Sequence, residues 1–377
     1  MKRVFLSIAI FLSFSHLFVN DLVSNASDIY EAENSSQHNL KVVSDAEASG
    51  GEYLQMGDSG SVFWNVEVDS SSWYNVIFRY RSPQGEKEQV LVKNGAETKI
   101  TEVNDGEGFT EYLGTLGGAN FFVLIPDSWN TLGRMLVVIC RPASFAEDPT
   151  AYNFEYPFAK TLAGQGFAVA FSNWGSAEDS VKEGVIRIHQ LTEYVIDNYE
   201  ITGKVFLFGT SLGGAVALLL GEKYPDVYSG VLDLSGVKDF AVNYNDWAGY
   251  SGFDFFLIMA ANSTMSQNQN YFGGSPEEKP KAYQKYSPTY HTDMKVPVIS
   301  VVHVGDMIVR PHQTELYHEA LSDPSLHYIV EVTEVTEGVL FPGAAGYYGH
   351  FDPATYVAAG TNFINLVLWS FGLWSPP

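Results

Sequence analysis

Cysteine is almost absent: the 377-residue chain has one, Cys140. No intrachain disulfide can form, and no cysteine-rich zinc site can be built. Basic residues are scarce as well. Against 44 Asp and Glu stand 21 Lys and Arg, for a net charge of −23 at pH 7. So acidic a chain repels phosphate backbones and anionic lipid, which argues against nucleic-acid and membrane-surface partners. Past residue 19 no apolar run is long enough to span a bilayer, and no repeats, heptads or low-complexity tracts occur. No His/Asp/Glu spacing suggests a metal site, and no cofactor is expected. What the chain does have is apolar and aromatic surface. Hydrophobic residues make up 46% against 17% charged, which excludes a disordered chain. Aromatics reach 14%, enough to fill a core and still line a pocket with rings.

The first residues read as an export signal. Lys2 and Arg3 precede an apolar stretch over residues 4–19, and Ser24-Asn25-Ala26 offers a small-x-small cleavage site. Cleavage is expected after Ala26, with the mature chain secreted or periplasmic. The alternative is an uncleaved membrane anchor, against which Ser7, Ser13, Ser15 and His16 interrupt the run. Asn25, Asn34 and Asn262 lie in Asn-x-Ser/Thr sequons.

Residues 27–105 carry an all-β pattern. Ser61-Val-Phe-Trp-Asn-Val-Glu-Val68 and Tyr74-Asn-Val-Ile-Phe-Arg-Tyr80 alternate apolar and polar residues, with turns at Gly50-Gly51, Gly57-Asp58 and Asn94-Gly95. Tyr30-Glu-Ala-Glu-Asn34, Ala48-Ser-Gly-Gly-Glu-Tyr53, the Trp64 strand, Phe78-Arg-Tyr80 and Val92-Lys-Asn-Gly95 give this segment its likeness. It resembles the first half of carbohydrate-binding modules of the galactose-binding-like β-sandwich type, families six and thirty-five. The resemblance implies polysaccharide as a partner and puts Glu31 and Glu33 where that family helps hold a structural calcium. A purely structural β-appendage is the other reading.

Residues 106–377 read as α/β. A hairpin is expected from Glu111-Tyr-Leu-Gly-Thr-Leu116, a Gly117-Gly118 turn and Asn120-Phe-Phe-Val-Leu-Ile125. Apolar strands at residues 135–140, 167–172, 204–208, 231–235, 296–304 and 327–332 then alternate with helical stretches. Unbroken apolar strands of this kind belong to a mostly parallel sheet covered on both faces. Between residues 238 and 294 the alternation stops, and Trp247, Tyr250, Phe253, Tyr271 and Phe272 stand among Gly, Asn and Ser. This is an insertion, either a helical decoration with its own small core or a substrate-facing lid.

Gly209-Thr-Ser211-Leu-Gly213 fits Gly-x-Ser-x-Gly between a strand and a helix. A tight turn there forces the serine into a strained backbone with its hydroxyl above the sheet, and side chains at 209 and 213 would collide with neighbouring backbone. The helix N-terminus then aims N–H groups at any oxyanion formed nearby. A serine hydroxyl needs an imidazole to take its proton and a carboxylate to fix the imidazole tautomer. Asp306 follows the strand at 297–304 in Gly305-Asp306, and His350 follows the last strand in Gly346-Tyr-Tyr-Gly-His350. Asp306 is preferred as the acid over Asp233, which sits within a strand. His303 reads as a packed strand residue, and His312, His318 and His327 as surface groups.

With Ser211, Asp306 and His350 in that order, residues 108–377 resemble the α/β-hydrolase fold. The resemblance implies a serine hydrolase of carboxylic esters. Ser211 becomes the nucleophile, His350 the base and then acid, Asp306 the orienting carboxylate, and the Leu212 N–H an oxyanion donor. Where many members carry His-Gly after the third strand, this chain has Cys140-Arg141-Pro142-Ala143-Ser144. Pro142 has no N–H, so Ala143 or Ser144 must supply the second donor, with Ala143 chosen. Arg141 is a candidate structural partner for a nearby carboxylate. Trp174, Trp247 and Tyr250 are the expected substrate-binding aromatics. The expected substrate is an ester on polysaccharide, of acetyl or feruloyl type, or another bulky ester. A peptidase of the same fold and a non-catalytic carbohydrate-binding protein are the alternatives.

Overall fold

The computed structural model describes residues 108–142, 148–152, 154–174, 181–251, 255–333, 350 and 352–377. It also describes the backbone of strands β1 (Val4–Leu12), β2 (Ser36–Ser44), β3 (Glu52–Val68), β4 (Lys87–Lys93) and β5 (Ala96–Val103). The expected features at Glu31, Glu33, 74–80, Ala143, Ser144 and 346–349 lie outside the described residues.

The hairpin expected from the glycine pair is present as β6 (Phe109–Leu116) and β7 (Ala119–Pro126). Gly117 and Gly118 have φ of 58° and 83°, the two positive values a tight primed turn demands. Strands β8 (Leu136–Cys140), β9 (Ala168–Ser172), β10 (Val205–Thr210), β11 (Gly230–Leu234), β12 (Val298–His303) and β13 (His327–Val332) run parallel to one another. Their order is β13-β12-β11-β10-β8-β9, continued by β7 and β6. β5 pairs antiparallel with β6, so the N-terminal strands extend the same sheet in the order β5-β4-β1-β3-β2. Strand β1, antiparallel to both β3 and β4, takes in residues 4–12 of the apolar run expected as a leader, and residues 13–19 of that run lie outside the described residues.

Helices connect the parallel strands: α1 (Glu155–Gly164), α2 (Val181–Asn198), α3 (Leu212–Lys223), then α4 (Phe240–Ala248), α5 (Phe255–Phe272) and α6 (Pro280–Tyr286) in the insertion, α7 (His312–Ala320) and α8 (Pro353–Ser370). Successive strand residues face opposite sides. Leu136, Val138 and Cys140 of β8 join one core with residues of α2, α3 and α7, while Val137 and Ile139 join a second with residues of α1 and α8. All five residues are buried, which is why the strand reads as continuously apolar. Each such aliphatic side chain contributes about 1.5–3 kcal/mol on burial. Helix α3 is apolar almost all round because it is buried from Leu212 to Gly221.

The insertion is rooted rather than free-standing. Phe240, Phe272 and Tyr283 belong to the α2–α3 core, and Trp247, Ala260 and Ala261 form a small cluster with Tyr250, Met265, Met307 and Ile308 packed on it. Asp239 caps α4, accepting from the N–H groups of Ala241 and Val242. Asp352 caps α8 by accepting from the Ala354 N–H, with Pro353 at the first helical position. Among the described residues no helix is long and apolar enough to cross a membrane.

Candidate active site

Ser211 stands between β10 and α3 with φ 57° and ψ −120°, a backbone that residues with a Cβ rarely adopt. Two glycines make the turn sterically feasible. A Cβ on Gly209 would lie 2.2 Å from the Gly213 carbonyl oxygen, and one on Gly213 would lie 2.1 Å from the Cys140 oxygen. Strand β10 and the end of β8 therefore touch the first turn of α3 backbone to backbone. That contact sets the α3 N-terminus, where free N–H groups point, beside the segment that follows Cys140. The turn is tied down by Ser211 N–H to the Leu234 carbonyl at 3.0 Å and by Val237 N–H to the Ser211 carbonyl at 3.1 Å.

Asp306 follows β12, and both of its carboxylate oxygens are engaged. Oδ1 accepts from the N–H groups of Ile308 at 2.8 Å and Val309 at 3.0 Å. Oδ2 lies 2.8 Å from His350 Nδ1, and both side chains are fully buried. A carboxylate only accepts, so His350 donates from Nδ1 and its Nε2 is the nitrogen left for proton exchange. The Asp352 cap pins the chain two residues past His350.

Asp233 has a different employment. It lies buried within β11, paired with the Lys238 ammonium and accepting from Ser300 Oγ at 2.7 Å. Its Oδ1 fills the space that a Cβ on Gly214 or Gly236 would need, at 2.3 Å and 1.9 Å. It thus braces the elbow from within the sheet, while Asp306 is the acid that meets the imidazole.

Several expected site residues sit elsewhere than the sequence suggests. Trp174 is fully buried in the core, with the Arg141 guanidinium 4.2 Å over its ring and Gly184 giving it room on α2, so it packs the core and offers no surface to a substrate. Trp247 is also buried, and its indole N–H donates to the Ile308 carbonyl at 3.2 Å, which makes it a support of the Asp306 loop. Tyr250 is half-buried, edge-on to Trp247 at 6.0 Å. Arg141 is buried against Trp174 and donates to the Pro142 carbonyl at 3.2 Å. Of the histidines, His303 is buried in β12 as expected. His327 corrects the surface expectation: it opens β13, is buried, and its Nε2 lies 2.9 Å from Ser300 Oγ. Burial, Lys238 and His318 hold it neutral far below the usual imidazole range. Burial likewise pushes the Cys140 thiol up, so it stays protonated and unreactive.

Two supporting groups carry no signal in the sequence. Glu155, at the start of α1, is buried and accepts from Tyr356 Oη at 3.2 Å, beside Thr210. Burial raises its carboxyl above the ordinary range. Asn243 on α4 donates to the Ile308 carbonyl at 3.0 Å. Neither residue carries a motif; each is marked only by being polar at a position the fold buries.

Comparison with known proteins agrees with this architecture. The BD-FAE family model matches residues 124–321, and a model of carbohydrate binding module family 35 matches residues 28–129. The second match runs past residue 105 to include β6 and β7. No curated protein matches the chain. Among solved structures, a Mycobacterium tuberculosis puromycin-hydrolyzing peptidase superposes with a TM-score of 0.54 at 16% identity, over 80% of this chain and 46% of that one. A puromycin hydrolase gives 0.53 at 15% identity, over 83% of this chain and 53% of that one. An acetyl xylan esterase from Paenibacillus sp. R4 gives 0.48 at 12% identity, over 64% and 84%. This chain thus spans about half the length of the first two. At such identities the first two superpositions speak for the fold, a mostly parallel sheet in α/β-hydrolase strand order. The family match covers more than half of the chain, which therefore belongs to the BD-FAE family of α/β-hydrolase esterases.

Proposed function

We propose that the protein is an exported serine hydrolase that cleaves carboxylic esters through an acyl-enzyme, with esters borne on polysaccharide as its substrates. The observation that carries the reading is the buried His350–Asp306 pair at 2.8 Å, at the same sheet edge as the strained Ser211. In this reading the Ser211 hydroxyl attacks the acyl carbon while His350 Nε2 takes its proton. The negative charge that develops on the carbonyl oxygen is met by the Leu212 N–H, and by the Ala143 N–H as second donor. His350 returns the proton to the departing alcohol oxygen. Water then attacks the acyl-serine, giving its proton to His350, and the acid leaves as Ser211 is re-protonated. Asp306 holds the imidazole tautomer throughout.

Polysaccharide as the alcohol side is supported by the module match over residues 28–129. Export is supported by the Lys2-Arg3 start, the apolar run and the small residues at 24–26, after which the module match begins. The test is hydrolysis of short-chain nitrophenyl esters, then of acetylated and feruloylated xylan, by the mature protein. Ser211→Ala is expected to lower kcat by about 10⁴-fold or more. Faster cleavage of dipeptide amides than of any ester would select the peptidase reading. Xylan binding without ester turnover would select the binding-protein reading.

A further inference from the structure

We propose that helix α4 of the insertion positions the catalytic acid through one peptide unit, the one joining Ile308 to Val309. The inference rests on the reading of Asp306 as the orienting acid. The oxygen of that peptide accepts two side-chain hydrogen bonds from α4, Asn243 Nδ2 at 3.0 Å and Trp247 Nε1 at 3.2 Å. The N–H of the same peptide, on Val309, donates to Asp306 Oδ1 at 3.0 Å. A peptide whose oxygen accepts hydrogen bonds becomes a stronger donor at its nitrogen, because the two polarise one another. The two α4 donors thus fix the plane of the peptide and strengthen its hold on Oδ1. With Oδ1 held there, Oδ2 faces His350 at 2.8 Å.

The placement on α4 is specific. Asn243 and Trp247 are four residues apart, so they share one helix face, and both are buried. A buried asparagine amide has little reason to be on an apolar face unless its hydrogen bonds are used. A second clasp from the same stretch of α4 fixes the same register: Arg310 donates to the Asp246 carbonyl at 3.1 Å, and His312 lies 3.5 Å from the Asp246 carboxylate. The insertion is thereby a structural part of the acid's support. Asn243 and Trp247 are positioning residues, since neither touches the reacting atoms in this reading.

The test uses Trp247→Phe, which keeps the ring in its cluster and removes only the N–H, and Asn243→Leu. Each is expected to lower kcat on a nitrophenyl ester about five- to tenfold. KM should stay within about twofold, because the substrate is not contacted. The imidazole Nδ1 proton resonance of His350 should shift or broaden in both variants. In an Asp306→Asn background both substitutions should lose their effect on kcat, since their route to the imidazole is gone. An unchanged kcat in folded Trp247→Phe, or an equal loss in the Asp306→Asn background, overturns the proposal. Trp247→Phe decides alone if Asn243→Leu fails to fold. An unchanged kcat in Asp306→Asn by itself overturns instead the reading of Asp306 as the acid.

Discussion

Replacing Ser211 by alanine and by glycine separates its backbone from its hydroxyl. Both substitutions remove the nucleophile, and both are expected to lower kcat by about 10⁴-fold. They differ in what the chain must tolerate at φ 57° and ψ −120°. A residue with a Cβ held in such a region costs about 1–3 kcal/mol. Glycine is free of that cost but loses more chain entropy on folding, by about 0.5–1 kcal/mol relative to alanine. Subtracting one from the other leaves Ser211→Gly more stable than Ser211→Ala by roughly 1 kcal/mol. At an ordinary helical or strand position the order is reversed. For a domain of this size the difference corresponds to a Tm gap of about 2–4 °C. Thermal unfolding of the two variants by circular dichroism measures it. A Ser211→Ala protein that melts at or above Ser211→Gly would refute the strain argument, and residual turnover close to wild type in either would refute the nucleophile.

Other substitutions probe the surroundings. Gly213→Ala sets a methyl group 2.1 Å from the Cys140 oxygen and 2.5 Å from the Arg141 oxygen. The backbones must part by about 1 Å, which is expected to cost 1–3 kcal/mol of stability and about 100-fold in kcat, and near-normal kinetics would refute the close approach. Asp233→Asn leaves the buried Lys238 ammonium without its counter-charge, so a loss of about 3–5 kcal/mol in urea unfolding is expected. Asparagine keeps the shape that fills the space beside Gly214 and Gly236, so turnover per folded molecule should change much less than stability there, whereas Asp306→Asn should show the opposite division between stability and rate. Glu155 holds its proton more tightly folded than unfolded. Its stabilising contribution is complete below the ordinary value of 4.5 and is lost as pH rises through the raised folded value. Glu155→Gln cannot ionise, so its urea midpoint should gain on wild type between pH 4 and pH 8; a pH-independent difference would refute the linkage.

Much of the framework was legible because it depends on local patterns. Strands β8 and β10 are buried on both faces and so read as unbroken apolar runs. The Gly117-Gly118 turn needed residues that accept positive φ, and the elbow needed glycine at 209 and 213 for reasons that sequence alone supplies. Asp306 was separable from Asp233 by position after rather than within a strand. The misreadings share a cause. Trp174, Trp247 and His327 carry side chains that suit a surface, yet each is buried by partners distant in sequence: Arg141 over Trp174, the Ile308 carbonyl on Trp247, Ser300 on His327. Glu155 and Asn243 were invisible for the same reason, since a lone polar residue shows its role only once the fold has closed around it.

Strain is concentrated where the chemistry is proposed. Among the described residues four other than glycine have positive φ, and three of them end consecutive parallel strands: Trp174 after β9, Ser211 after β10 and Ser235 after β11. Such conformations persist only where packing overrides the local preference. Trp174 is held between Arg141 and Gly184, and Ser211 by the glycines that admit the Cys140 backbone. Around Ser235, Gly236 and Gly214 close on the Asp233 carboxylate that Lys238 neutralises. The restraints on the site are therefore steric and local: missing Cβ atoms and one buried ion pair. Small overlaps at these points should move the serine before they unfold the sheet, because Trp174 and Cys140 are the only members of the two cores among them and most of both cores is built from other residues. That ordering makes activity, measured below the melting transition, the more sensitive reporter of the elbow's packing.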